Sequence, residues 1–402
     1  MRVLVLTHRL PYPPNRGDRI RAYHLIRVLA GSMDVDVVSL VHSHDEERGA
    51  NRLRDLGVRV STAMVPQVRN LVSSLLALPG RTPLTHVLLH SPAVDGTIER
   101  MVASVKPDVV LAYCSGMAQY ALRPPLSDIP FVLDMVDVDS AKWAALSRTA
   151  RVPMSMIYRR EASRLAEFEQ AATARAAVTT VVNDRENAAV RAINPRARVE
   201  TVSNGIDIAS FRPTGEPSTQ ANVVFCGVFD YEPNEDGAVW LATEVWPRVL
   251  QRRPDATLTL IGMNPTRRVR SLASTPSIHV TGAVPDVRPY LWNAAVAAAP
   301  LFIARGLQNK VLEAIGANLP CVITPEVADG LPRSVHPACA TASTAEEFAA
   351  ALLSLLNSSP AERRARAARA DLADLAWETQ LSPMAALLER AAHGSVSERA
   401  HR

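Results

Sequence analysis

A chain of 402 residues exceeds what a single hydrophobic core usually organises, so two domains are expected. Hydrophobic residues make up 48% and charged residues 21%, which excludes a disordered chain and describes a globular one. The net charge of +4 is spread along the chain; it makes no case for nucleic acid but allows an acidic lipid surface or a phosphorylated ligand.

The opening MRVLVLTHR reads as a strand entering a turn, not as a signal peptide. The strand covers Arg2 to Thr7, and the Pro-rich loop HRLPYPPNRGD leads into a helix through Ala30 with Asp18 as its N-cap. Loops at the carboxyl ends of parallel strands line ligand clefts, which places Arg9, Arg16 and Gly17 to face a ligand, although G-x-G-x-x-G is absent. Strands at 35–41 and 58–65 follow, joined by a solvated helix with a glycine stop. The segment 68–84 is apolar on most faces and flanked by Arg69 and Arg81. It reads as a core helix, with an amphipathic element touching a membrane as the alternative. After a helix at 91–106, the strands VVLAYC and FVLDMVD bring Asp137, Asp139 and Lys142 to a strand end; Asp139 or Ser140 would cap the next helix. A long helix spans 153–177, and Asn183-Asp184-Arg185-Glu186 has the pattern of a capping box.

The segment 198–220 is the main punctuation: Asn204-Gly205 turns, and a Pro/Gly/Ser/Thr-rich linker follows Phe211. Strands restart at NVVFCG and continue through ATLTLIG, SIHVTG, VAAAP and CVIT, with helical patterns at 345–356, 360–373 and 377–392. Alternating strands and helices in both halves predict two α/β/α domains with parallel sheets. The expected division is 1–205, 206–376, a last helix 377–392 and a disordered tail 393–402. Cys114, Cys226, Cys321 and Cys339 are widely spaced and read as reduced core residues; no metal signature appears. The longest apolar run, 294–304, is too short to span a bilayer, so the expected location is cytoplasmic and at most peripheral to a membrane.

The stretch 297–324, AAAPLFIARGLQNKVLEAIGANLPCVIT, concentrates the chemistry. It predicts a strand ending at Pro300, a loop through Arg305 and Gly306, a helix over 307–317 and a second strand. Gln308, Asn309, Lys310 and Glu313 fall in or near the first two helical turns, where free N–H groups favour an anion such as a diphosphate. Glu313, one turn in, can accept hydrogen bonds from sugar hydroxyls. Forty-four basic residues include only three lysines, Lys106, Lys142 and Lys310, and one of them stands at this mouth. The same polar residues would equally suit the solvated face of an ordinary β-α-β unit.

SNGIDIASF, FCGVFDYEPNEDGAVWL, VTGAVPDVRPYLWNAAVAAAP and ARGLQNKVLEAIGANLPCVIT resemble, in order and spacing, the retaining family 4 glycosyltransferases of GT-B fold. The strings HRLPYPPNRGDRIR, DVDSAKW and ARGLQNKVLEA are similar to sugar transferases associated with PEP-CTERM/exosortase exopolysaccharide loci. The resemblance covers the chain to about residue 390 and implies two Rossmann-like domains facing a central cleft, with the last helix crossing back to the first domain. It implies a metal-independent transfer, without cofactor, from a nucleoside-diphosphate sugar to an exopolysaccharide or lipid-linked acceptor. Carried over by position, Glu313 would hold the ribose. Gly306, Leu307, Gln308 and Asn309 would approach the donor, Val284 would meet the base, and Gly227 would leave room for the diphosphate.

Two positions depart from the pattern. The first glutamate of the E-x7-E motif is Arg305 here, and the Arg/Lys pair after the first strand of the second half is missing. The expectation is that Arg305 and Lys310 supply that charge, and that Asp137 stands where the family has a histidine near the reaction centre. Two other readings use the same features: a UDP-sugar 2-epimerase, and a non-catalytic subunit that binds a partner transferase.

Overall fold

The computed structural model describes residues 1–14, 17–304 and 307–399, without the side chains of Thr149 and 395–399. The chain divides into two compact units, Met1–Gly205 with Trp377–Arg402, and Ile206–Ala376. Each is built on one sheet whose strand pairs are all parallel.

The first unit holds β1 (Arg2–Thr7), β2 (Asp34–Val41), β3 (Arg59–Met64), β4 (Val109–Tyr113), β5 (Phe131–Val136), β6 (Val178–Val181) and β7 (Val199–Thr201). Their order is β3-β2-β1-β4-β5-β6-β7, so the strand order reverses between β1 and β4. β1 shows how the sequence dictates this layering. Val3 and Val5 join Leu25 and Leu29 of the Gly17–Ala30 helix on one face, whereas Leu4 and Leu6 join Val94, Ile98 and Met117 on the other. A strand buried on both faces is apolar along most of its length, which is why the run Val3 to Leu6 does not alternate with polar residues. The Trp377–Arg399 helix completes the first face through Trp377, Leu381, Met384, Leu387 and Leu388, and Trp377 stacks on His24 with centroids 4.6 Å apart.

The second unit holds β8 (Asn222–Cys226), β9 (Thr257–Ile261), β10 (Ile278–Val280), β11 (Val296–Ala299), β12 (Cys321–Ile323) and β13 (Cys339–Thr341), in the order β10-β9-β8-β11-β12-β13. Its order reverses between β8 and β11. Cys321 and Cys339 are register partners on β12 and β13, both buried and reduced. Ile206 N donates to Leu375 O at 2.7 Å, closing the two ends of this unit on each other.

Several expectations change. The tail does not begin at 393, because the last helix continues to Arg399. The helical pattern at 360–373 is a helix only over Pro360–Ala367, followed by a short turn at Ala373–Leu375. Asp18 lies inside the first helical turn rather than capping it. The residue before the Asp139–Thr149 helix is Val138, so neither Asp139 nor Ser140 is its N-cap. At 68–84 the core-helix reading is reversed: Asn70 and Ser74 are the buried residues of the Gln67–Ala77 helix, and its Val and Leu side chains face solvent.

The first unit buries one complete charge pair. Arg21 and Asp134 are both fully buried, joined by Nε to Oδ2 at 2.9 Å and Nη2 to Oδ1 at 3.2 Å. Arg21 Nη1 also donates to Asn204 Oδ1 at 3.0 Å and Ser203 O at 3.3 Å, and Thr180 donates to Asp134 at 3.0 Å. One guanidinium thus ties the first helix to β5 and to the segment that leaves this unit. Arg21→Ala strands the carboxylate in the interior, and urea denaturation should show this unit destabilised by about 3–5 kcal/mol.

Candidate functional site

The second unit gathers its distinctive residues where β8, β9, β10 and β11 end. The constraint begins at Gly262, with φ +151°, where an added Cβ would lie 1.6 Å from Gly227 O. The turns after β8 and β9 therefore touch backbone to backbone, held by Gly227 N donating to Ile261 O at 2.9 Å. Gly262 N donates in turn to Gly282 O at 3.2 Å, which leads the third turn into register.

A Cβ on Gly227 would press on Asn234 at 3.0 Å, so glycine lets the Asn234 side chain settle against this turn. Asn234 is buried in the first part of the Glu232–Trp240 helix, and its Nδ2 donates to Val228 O at 2.9 Å. That bond orients Oδ1 outward, and Lys310 Nζ donates to it at 2.6 Å. Lys310 Nζ also stands 5.1 Å from the Phe225 ring centroid, a cation–π distance. The same helix is drawn in by Gly237, whose Cβ would meet Pro300 O at 2.5 Å.

Lys310 is the second residue of the Asn309–Gly316 helix, and Glu313 follows one turn later. Both keep part of their surface open. Burial lowers the Lys310 ammonium to about 8, against the opposing pull of Cys226 and Glu313. Burial raises Glu313, with Lys310 opposing, and pushes the Cys226 thiol up to about 12, with Glu313 adding to the rise. An ammonium and a carboxylate stripped of part of their water, without a direct bond between them, are poised for an external partner that satisfies both.

The structure thus brings Gly227, Lys310 and Glu313 together. Leu307 and Val284 pack on the core of this unit, Gln308 precedes the helix and Asn309 is exposed. Arg305 and Gly306 lie outside the described residues, as does Arg16. Asn234 was missed, because in sequence it is one polar residue in a run of acidic ones and only the fold carries it to Lys310.

The first unit has its own cluster at the carboxyl ends of β1, β4 and β5. Cys114 and Val136, directly after and at the end of two of these strands, have φ of +70° and +63°. A β-branched residue there is strained, a feature common at functional sites. Ser115 Oγ donates to Asp139 at 2.6 Å, and Glu186 accepts from Val138 N at 2.9 Å. Ser140 bonds buried Glu169, whose carboxyl burial raises to about 7. Asp137 is exposed beside this network, and its carboxyl is raised by lost solvent and then by Glu186 and Asp139, with Lys142 and Arg185 opposing. His8 stacks on Tyr113, and the Asp18 carboxylate lies 3.6 Å from both His8 and Arg9. Gly17 opens the first helix with free space around it.

The lowered Lys310 value has a thermodynamic consequence. The unfolded chain keeps this proton to about 10.5, whereas the folded unit releases it near 8. Holding the charge therefore costs stability below pH 8, and the cost fades as pH rises toward 10.5. Lys310→Met should stabilise the protein by about 1–3 kcal/mol at neutral pH, with the gap to wild type closing above pH 8 in denaturant titrations.

Residues 220–358 match the family model of glycosyl transferases group 1. No curated protein matches the sequence. Among solved structures, HepE of Anabaena in complex with UDP and glucose is similar over 97% of this chain and 99% of its own, with TM-score 0.63 and 13% identity. A UDP-forming α,α-trehalose-phosphate synthase from Burkholderia xenovorans covers 97% and 99% at TM-score 0.59 and 13% identity. WaaG, a glycosyltransferase involved in lipopolysaccharide biosynthesis, covers 96% and 99% at TM-score 0.58 and 16% identity. Two parallel-sheet α/β units and these neighbours show that the chain has the GT-B fold, with the match to glycosyl transferases group 1 lying in the second unit at residues 220–358.

Proposed function

We propose that the protein transfers a sugar from a uridine-diphosphate sugar to an exopolysaccharide or lipid-linked acceptor, with retention and without a metal. The observation that carries this reading is the Lys310–Asn234–Glu313 arrangement beside Gly227: a cation and a carboxylate one helical turn apart, at the point where the strand order reverses. HepE was solved with UDP-glucose as well as UDP, which supports a uridine nucleotide as the donor.

In this reading Glu313 accepts hydrogen bonds from the ribose hydroxyls, and Lys310 meets the diphosphate together with the helix N–H groups. Gln308, Asn309, Leu307 and Gly306 border the donor sugar, Val284 the base, and Arg305 adds positive charge. The bond from the anomeric carbon to the diphosphate oxygen breaks as the bond to the acceptor oxygen forms, and the acceptor proton passes to the departing diphosphate. Negative charge grows on that leaving group, so Lys310 acts where electrostatic stabilisation counts most. Acceptor binding is assigned to the first unit, with Asp137 next to the acceptor hydroxyl. A cytoplasmic location at the membrane face suits a lipid-linked acceptor and belongs to the same proposal; among the described residues no helix is long and apolar enough to cross a membrane.

The test is calorimetric titration of wild type, Glu313→Ala and Lys310→Met with UDP and a panel of UDP-sugars, followed by turnover with and without acceptors. UDP should bind wild type, and each substitution should weaken it by about 10–100-fold, the worth of one or two bonds to a charged group. Turnover of donor with no acceptor present would turn the reading to an epimerase. Absence of nucleotide binding by folded wild type would overturn it in favour of a partner subunit.

A further inference from the structure

The Gln67–Ala77 helix is built inside out. Two of its polar residues face the protein: Asn70 Nδ2 donates to Leu88 O and His90 O at 3.1 and 2.7 Å, and Ser74 Oγ donates to Leu71 O. Its apolar residues face outward, with Val68 80%, Leu71 59%, Val72 55%, Leu75 62% and Leu76 77% exposed. These positions follow helical spacing and form one stripe.

The stripe has neighbours of the same kind. Arg160, on the Met154–Arg175 helix, donates to the carbonyls of Ala77, Leu78, Gly80 and Thr82, and so pins the end of the exposed helix against the start of its own. Met156 lies one turn before Arg160 on the same helical face and is 65% exposed; Val152 and Met154 are exposed just ahead of it. Arg160 thus ties a second segment with exposed apolar residues to the end of the exposed helix within the first unit.

Charge selects the occupant. Neither 56–94 nor 140–160 contains an Asp or Glu. Arg69, Arg81, Lys142, Arg148, Arg151 and Arg159, all within these segments, are exposed. An aliphatic stripe whose own segments carry exposed cations and no carboxylate fits the boundary between headgroups and acyl chains of an anionic bilayer. The outward stripe itself carries Val, Leu and Met but no aromatic anchor of the kind that centres protein interfaces.

We propose that this face of the first unit docks on an anionic lipid bilayer, with Val68, Leu71, Val72, Leu75 and Leu76 inserted below the headgroups and the arginines and Lys142 held at their level. The docking is independent of the donor site, because every residue it uses belongs to the first unit.

The experiment is sedimentation of the full chain with vesicles of phosphatidylcholine alone or mixed with phosphatidylglycerol, at low and high salt. It compares wild type with Leu71→Asp/Leu75→Asp and with Arg148→Ala/Arg151→Ala, beside gel filtration and thermal melts. Wild type should bind the anionic vesicles and lose much of that binding in high salt or on neutral vesicles. Both variants should bind at least about tenfold more weakly, with unchanged melting and unchanged UDP binding, since the altered side chains are already in water. Equal binding of wild type and variants, or no binding of wild type to anionic vesicles, overturns the proposal. A wild-type dimer that Leu71→Asp/Leu75→Asp converts to a monomer overturns it in favour of a second copy of the chain.

Discussion

The second unit depends on the contact of two backbones at Gly227 and Gly262. No side chain fits there, and the φ of +151° at Gly262 suits only glycine. Because the turns touch, Asn234 can pack against Gly227, and because Asn234 is fixed by Val228 O its carbonyl oxygen is available to Lys310. A chain of steric necessities thus ends in a placed cation. The ammonium is held by a neutral acceptor and an aromatic face, with Glu313 acting on it from one turn away and no ion pair to it among the described residues.

The first unit solves the opposite problem. Arg21 and Asp134 neutralise each other completely in the interior, with every remaining bond directed to Asn204, Ser203 and Thr180. Such a pair adds little net stability over an apolar substitute, but it admits only one arrangement of the helix, β5 and the segment at 203–204. Around its rim, strain at Cys114 and Val136 aims the strand ends, and carboxylates at Asp137, Asp139 and Glu186 share a small space. Charge is cancelled where the fold needs rigidity and left unbalanced where a ligand can complete it.

The Gln67–Ala77 helix shows how periodicity misleads when its sign is unknown. The apolar stripe is plain in the sequence, and burying it is the ordinary outcome for a soluble protein. What reverses it is the pair of carbonyls, Leu88 O and His90 O, that need donors and receive Asn70. Those carbonyls are some twenty residues away, and no local pattern announces them.

The sequence by itself determined the two α/β layers, because continuous apolar runs separated by helical periods admit little other than parallel sheets covered on both faces. It also marked Lys310 and Glu313, since a rare lysine and a carboxylate in the first turns of a helix are local signals, whereas Gly227 came from the family resemblance. Only the tertiary structure decided that Asn234 holds Lys310, that Ser115 holds Asp139, that Asp18 turns to His8 and Arg9, and that the helical leucines at 71, 75 and 76 face outward. Each of these rests on a contact between residues distant in sequence, whose partner is chosen by which strands lie side by side and how closely their turns approach. Periodicity records which face of an element is apolar; what that face meets is set by the packing of the whole unit.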